Sequence, residues 1–403
     1  MGKVDVVLDG RLFAECQIRA NNRDGMMRLA EEVTHCLHSY DDLNLSFASN
    51  IKIEKYDKNL KQYVYENYGT AATSVISQGY QRCWDILKWK SLFKHPILKK
   101  LVTPNYHLNN KNIYHSFYHP FDDYVTKQNL KKSITFLDII PLVRAGYNNK
   151  MVSITQNIVN AIKNNYAIAI SEYSKNDLLN YDKSIRSDQV FVAPLAASPK
   201  LFYNNVDAYS FEKIKAKYQI PHRYILTVSG SDKRKNIRNI IKGFNEFILQ
   251  NSNTDIKLLV TGNLSHSMNM LNELKITSFV RSKIVMPSTF IDTKDLAIIY
   301  SNAICFIFLS YYEGFGLPVL EAMQCGTPVI SSNKTSLPEV VGSSGLLVDP
   351  DNIIEIAEAL DKLCNNEHER NHFATLGIKR AQQFSWEKTA ELYHQFFHAI
   401  NER

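Results

Sequence analysis

Short apolar runs separated by amphipathic stretches recur along most of this chain. In the C-terminal half, residues 224–229, 256–261, 283–286, 304–309, 328–331 and 345–348 have the length and apolar character of buried strands. Helix-like stretches at 235–249, 268–274, 294–300, 318–325 and 337–341 separate most of them. Strands alternating with helices predict a parallel sheet covered on both faces, a Rossmann-like α/β domain. The N-terminal half repeats the alternation more weakly. Its expected strands are 4–9, 45–48, 112–115, 134–137, 166–170 and 189–193. A helix over 25–37 brings Met27, Leu29, Val33 and Leu37 near one face, and a second helix is expected at 151–163. The apolar periodicity lapses over 194–207, so the boundaries are drawn at 1–198, 199–384 and 385–403. Ser385 suits the N-cap of a last helix over 386–400.

A chain of 403 residues exceeds the size at which a single core stops growing, which agrees with two domains. No apolar run approaches the ~18 residues that span a bilayer. The opening Met1-Gly2-Lys3-Val4-Asp5 lacks the apolar core of a signal peptide. Six cysteines form no CxxC pair and no Cys/His ligand spacing, which predicts reduced thiols, a cytoplasmic setting and no metal site. Against 40 acidic residues, 47 basic ones leave a formal charge of +7. That mild excess suits anionic small molecules or a membrane surface and does not argue for nucleic acid.

The chemistry concentrates at 311–323, Tyr-Tyr-Glu-Gly-Phe-Gly-Leu-Pro-Val-Leu-Glu-Ala-Met. Pro318 fits the first helical position and Gly326 the residue past the helix end. Glu313 then sits in a strand-to-helix turn with Gly314 and Gly316, and Glu321 lies one turn into the helix. The N–H groups of Phe315, Gly316 and Leu317 point out of the helix start, where the helix dipole favours an anion. Two carboxylates and free N–H donors within one turn suit a charged, hydroxyl-rich ligand such as a nucleotide sugar. The plainer reading is a connector turn and a solvated helical Glu. A second cluster, Ser229-Gly230-Ser231-Asp232-Lys233-Arg234-Lys235-Asn236, joins a strand end to a helix start. Arg as a fork and Lys as a point charge suit a diphosphate there, the alternative being an ordinary basic helix entry.

Glu313-x7-Glu321, followed by Cys-Gly-Thr-Pro-Val-Ile at 325–330 and Ser-Leu-Pro-Glu-Val at 336–340, resembles the signature of glycosyltransferase family 4. That resemblance implies a GT-B fold: two Rossmann-like parallel-sheet domains facing a cleft, with a C-terminal helix crossing back to the first. Phe384-Ser385-Trp386-Glu387-Lys388-Thr389-Ala390 is similar to the family's crossover segment. It implies that Arg234 and Lys235 hold the donor diphosphate, with Gly230 or Ser231 where many members carry a further Arg. Glu313 would contact the donor sugar, the Phe315–Leu317 backbone (residues 315–317) sugar hydroxyls and phosphate, and Glu321 the ribose. In the N-terminal half, Asp9-Gly10-Arg11, the loop through Gly25 and Met26, 114–120 with His115, and 171–175 resemble family elements more loosely. Gly25, Met26 and His115 fall on the acceptor side. Ser171 and Ser174 also read as helix caps, the favoured reading. Thr135-Phe136-Leu137-Asp138-Ile139-Ile140-Pro141 keeps the family's Asp as Asp138, but Leu137 stands where a His is usual.

Residues 84–101 interleave Trp84, Leu87, Trp89, Leu92, Phe93, Ile97 and Leu98 with Lys88, Lys90, Lys94, Lys99 and Lys100, and Pro96 breaks the stretch. It reads either as an anionic-membrane contact or as surface helices whose lysine stems cover the core. The expected function is a metal-independent retaining hexosyltransferase without cofactor. It would act on a UDP- or GDP-sugar and a glycan or lipid-linked acceptor in bacterial surface polysaccharide or glycoconjugate synthesis. The expected location is cytoplasmic, including the inner membrane face. Alternatives are a non-catalytic GT-B partner or glycan-binding protein, which Leu137 favours, and a hydrolase or epimerase of nucleotide sugars.

Overall fold

The computed structural model describes residues 3–13, 25–48, 54–68, 75–76, 108, 110–229, 232–262, 271–274 and 276–403. The chain forms two compact units, Met1–Pro194 with Trp386–Arg403, and Leu195–Ser385.

The first unit is built on β1 (Val4–Asp9), β2 (Leu43–Ala48), β3 (Val75–Ile76), β4 (Ile113–Ser116), β5 (Lys131–Phe136), β6 (Tyr166–Ala169) and β7 (Val190–Val192). The strands lie in the order β3-β2-β1-β4-β5-β6-β7, all parallel. That is the doubly wound order, which reverses between β1 and β4. Helix α1 (Gly25–Leu37) buries Met27, Leu29, Val33 and Leu37, the face its spacing predicts. Helix α2 (Asn149–Ile162) is capped by the Asn148 side chain on Met151 N–H. In α3 (Glu172–Tyr181) the Ser171 hydroxyl accepts from Ser174 N–H at 2.9 Å, so Ser171 is a cap. Ser174 is not a cap: its hydroxyl donates to Leu137 O at 2.7 Å.

The C-terminal helix (Trp386–Glu402) belongs to this first unit and packs against α1. It buries Trp386, Tyr393, Phe396, Phe397 and Ile400. Thr389 donates to Pro194 O at 2.6 Å, and Lys131 Nζ to Asn401 O at 2.6 Å. At the amino end of the sheet, Val4 N–H donates to Asp42 O at 2.9 Å, and the imidazoles of His394 and His398 reach the Asp42 carboxylate.

The second unit carries β8 (Tyr224–Ser229), β9 (Lys257–Gly262), β10 (Ile284–Val285), β11 (Cys305–Phe308), β12 (Val329–Ser332) and β13 (Leu346–Val348), parallel in the order β10-β9-β8-β11-β12-β13. The order is again doubly wound, with its reversal between β8 and β11. Helix α4 (Ile237–Gln250) presents Ile240, Ile241, Phe244, Phe247 and Ile248 to a core shared with Ile356 and Leu360 of α6. Here α5 is Leu317–Gln324 and α6 is Ile353–Asn365. A Cβ at Gly243 would meet Ile356 Cγ2 at 2.2 Å, so glycine is what lets α4 and α6 approach. The basic stretch 84–101 lies outside the described residues, as do residues 268–270 of the helix expected at 268–274. No described helix is long and apolar enough to cross a membrane.

His115 is fully buried beneath the C-terminal helix. Its Nδ1 lies 2.9 Å from Ser133 Oγ and its Nε2 3.1 Å from Thr135 Oγ1, which in turn is 2.7 Å from Tyr393 OH. Burial pushes its pKa down to about 3, although the Asp9 charge works against this. In the unfolded chain the group titrates near 6.5, so the neutral folded form favours folding above that pH. The contribution is lost as pH falls from about 6.5 toward 3. Going from pH 7 to pH 5 should therefore cost about 2 kcal/mol through His115 alone. Urea titrations of the wild type and His115→Gln at both pH values check this: the wild type should lose that much more than the variant.

Candidate functional site

The candidate site of the second unit lies at the carboxyl ends of β8 and β11, the strands between which the order reverses. Ligands of open α/β sheets bind at such a point. Asp232 caps a 3₁₀ turn, Lys233–Lys235, by accepting from Arg234 N–H at 2.9 Å. Asn236 follows in the left-handed conformation, with φ 54°, which an asparagine tolerates. Its amide donates to Pro350 O at 2.8 Å, and α4 starts only at Ile237. The sequence-based start at residue 235 thus falls two residues early, on the turn.

Arg234 is braced on several sides. Its Nε donates to Asp232 Oδ2 at 2.8 Å and its Nη1 to Tyr312 O at 2.7 Å, and the guanidinium pairs with the Glu313 carboxylate. Its backbone carbonyl accepts from Tyr311 N–H at 2.8 Å. Burial pushes the Lys235 ammonium below its ordinary pKa; Glu313 opposes that shift, Arg234 adds to it, and Asp232 and Glu321 oppose it. Lys235 therefore shares one electrostatic neighbourhood with both carboxylates of the Glu-x7-Glu pair.

The loop from β11 to α5 is held from below. Ser336 Oγ lies 2.8 Å from the carbonyls of both Glu313 and Phe315, which share its single proton, and Glu313 N–H donates to Thr335 Oγ1 at 3.1 Å. Phe315 packs edge-on against Phe384. Gly316 caps α5 at φ 119°, and a Cβ there would meet Leu337 Cδ2 at 2.7 Å. Helix α5 begins at Leu317, with Pro318 in its first turn and Glu321 buried. Arg234, Lys235, Glu313, Phe315, Gly316, Leu317 and Glu321 thus gather at one strand-end site. Gly230 lies outside the described residues.

Residues expected on the acceptor side separate. Gly25 and Met26 open α1, and residues 14–24 before them lie outside the described set. His115 is corrected from acceptor residue to core residue, since the hydroxyls of Ser133 and Thr135 engage both ring nitrogens and no atom reaches the surface. Asp138 follows β5, and its Oδ1 accepts from Ile140 N–H at 2.9 Å, a local bond just before the short helix Ile140–Val143. Arg11 grips the fully buried Asp9 through two donors and also reaches Pro120 O at 2.9 Å. Burial alone would raise the Asp9 pKa, but Arg11 holds it below the ordinary value. These two residues brace the first unit from within.

Two doubly wound units, the last helix belonging to the first, and a charged strand-end site in the second define a GT-B protein. Residues 210–380 match the family described as Glycosyl transferases group 1. The O-antigen chain mannosyltransferase B of Escherichia coli is 30% identical over 224 residues, 55% of this chain and 57% of that protein. The chain spans little more than half that relative's length. Among solved structures, sucrose-phosphate synthase of Thermosynechococcus elongatus superposes with a TM-score of 0.64 at 18% identity, covering 98% of this chain and 100% of its own. Anabaena HepE in complex with UDP and glucose gives 0.64 at 13% identity, covering 99% and 100%. Identities this low show the fold alone.

Gly316→Ala should strain both the backbone and the Leu337 contact, and so tilt the first N–H groups of α5. An unfavourable left-handed residue and a forced contact each cost about 1–3 kcal/mol. A Tm fall of several degrees, measured by calorimetry, is the expected outcome; an unchanged Tm would refute this account of the turn.

Proposed function

We propose that this protein is a retaining hexosyltransferase. It moves a hexose from a nucleoside diphosphate sugar to a glycan or lipid-linked acceptor in bacterial surface-glycan synthesis, on the cytoplasmic side of the membrane. The observation that carries this reading is the convergence of Lys235 and Arg234 with Glu313 and Glu321 where the strand order of the second unit reverses. The family match over residues 210–380 and the relatives named as mannosyltransferases support it, and they make a mannose donor the first to try in any panel.

Each residue has a physical task in this scheme. Lys235 meets the diphosphate as a point charge and takes up the negative charge that grows as the sugar–phosphate bond breaks. Arg234 reaches phosphate by giving up part of its hold on Glu313, so donor binding releases that carboxylate toward sugar hydroxyls. The N–H groups of Phe315, Gly316 and Leu317 add dipoles at the helix start. Glu321 accepts from the ribose. With two cations on the leaving group, the reaction needs neither a divalent ion nor a cofactor. By family resemblance Asp138 is assigned, with Glu313, as a catalytic residue at the donor sugar, and Gly25 and Met26 are assigned to the acceptor side.

Lys235→Ala should weaken UDP or GDP binding by about 1.5–3 kcal/mol, a tenfold to hundredfold change in calorimetry. Glu313→Gln should lower kcat with the Tm nearly unchanged, and chelation with EDTA should leave turnover intact. Unchanged nucleotide affinity in Lys235→Ala, or turnover lost to EDTA and restored by Mg²⁺, would overturn the scheme. Leu137, in place of the usual imidazole, favours one second reading, a nucleotide-binding partner protein without catalysis. Nucleotide binding with no turnover of any donor in a broad panel would establish it.

Contact of residues 84–101 with an anionic membrane is part of the same proposal and rests on the lysine–aromatic pattern. Co-sedimentation with anionic liposomes should fall as salt screens the lysines, and the triple replacement of Lys88, Lys90 and Lys94 by Glu should abolish it. Equal recovery of both proteins at low salt would point to ordinary surface helices.

A further inference from the structure

At the amino end of the first sheet, three metal-ligating side chains meet. His394 and His398 are one helical turn apart on the C-terminal helix, a spacing that puts two imidazoles on one face. Both direct Nε2 toward Asp42, the residue before β2. His394 Nε2 lies 2.9 and 3.1 Å from the two carboxylate oxygens, and His398 Nε2 lies 3.1 Å from Oδ2. The three ligand atoms fall within 4.8 Å of one another.

We propose that Asp42, His394 and His398 form a structural site for a divalent transition-metal ion such as Zn²⁺, which clamps the C-terminal helix to the first unit. Hydrogen bonding alone leaves one atom unexplained. His398 Nε2 is buried and makes no aligned hydrogen bond, despite the nearby carboxylate. A buried polar nitrogen in that condition calls for a partner, and an ion between the three groups supplies one. The donor set suits the ion: two neutral imidazoles and one carboxylate are borderline ligands that Zn²⁺ accepts. Tetrahedral bonds of ~2.0–2.1 Å place neighbouring ligand atoms about 3.3 Å apart. The imidazole–carboxylate separations lie within a few tenths of an ångström of that value.

The surroundings hold the ligands in place. Tyr40 stacks on the His394 ring at 4.2 Å and 21°, and the backbone of Asp42 is tied to β1 through Val4. Phe396, Phe397 and Ile400 anchor the helix on either side of the pair. Three protein ligands leave the fourth position to water. The task assigned to the ion is mechanical, because in this unit the ligands lie at the amino ends of β1 and β2, away from the carboxyl ends where such sheets bind substrates.

The test uses the untagged full chain, stripped with chelator and titrated with Zn²⁺ by calorimetry. One ion should bind per chain. Free Zn²⁺ at a hundredfold excess over Kd should raise the Tm by roughly 5–10 °C. His394→Ala, His398→Ala and Asp42→Asn should each weaken binding at least tenfold and remove the Tm gain. Absence of binding to wild type, or the same binding and Tm gain in the variants, would overturn the proposal. Should the variants fail to fold, Co²⁺ on the wild-type chain decides. An intense visible band of a four-coordinate site, displaced by Zn²⁺, supports the site, and a weak six-coordinate spectrum rejects it. This test is independent of the transferase reading: chelation should lower the Tm while turnover well below it persists.

Discussion

The Arg234 guanidinium joins two loops that the sheet only brings near each other. The β8 and β11 strands pair for two residues, Ile225 with Cys305 and Leu226 with Phe306, and their carboxyl-end loops then run on without a ladder. Arg234 closes that gap by holding Asp232 on its own loop and Tyr312 and Glu313 on the other. The position of Glu313 and the approach of Lys235 both depend on this brace. So does the direction in which the 310–316 loop enters α5. A half-buried arginine with carboxylate and carbonyl partners is strongly held, because removing either side leaves charge without compensation.

A similar division of labour appears in the first unit. Arg11 and Asp9 form an ion pair beneath the surface, and His115 bridges β5 hydroxyls under the C-terminal helix. These polar residues stand in segments that resemble family motifs, yet the structure uses them to fasten the sheet to its covering helix. A motif-like histidine is thus no guide to chemistry until its burial is known.

Much of the fold was legible from periodicity. The bounds of β1, β8 and α1 agree with the apolar pattern, and the alternation of strands and helices announced two doubly wound sheets. The Gly-Phe-Gly turn before Pro318 likewise marked the start of α5 to within a residue. What escaped depends on partners far away in sequence. The left-handed Asn236, which delays α4, is held by Pro350. The burial of His115 is completed by Tyr393 and Phe397, near the chain's other end. The engagement of Arg234 with Glu313 appears only once β11 lies beside β8. His394 and His398 were passed over in the sequence, where no Cys/His ligand spacing was found, and no local pattern announced Asp42 facing both.

The order of the second sheet also bears on how the site comes into being. Strand β8 is the first of its unit, but its neighbour across the reversal is β11, with Ile225 pairing to Cys305, 80 positions later. Closing so long a loop is entropically expensive and slow compared with local contacts. Lys235 can therefore fold into its turn early, while the carboxylate that faces it arrives only when the central pairing is complete. A ligand that needs both loops recognises the finished domain and not its intermediates. Its binding energy is added to the last long-range step of folding, which makes the candidate site a proofreader of its own domain.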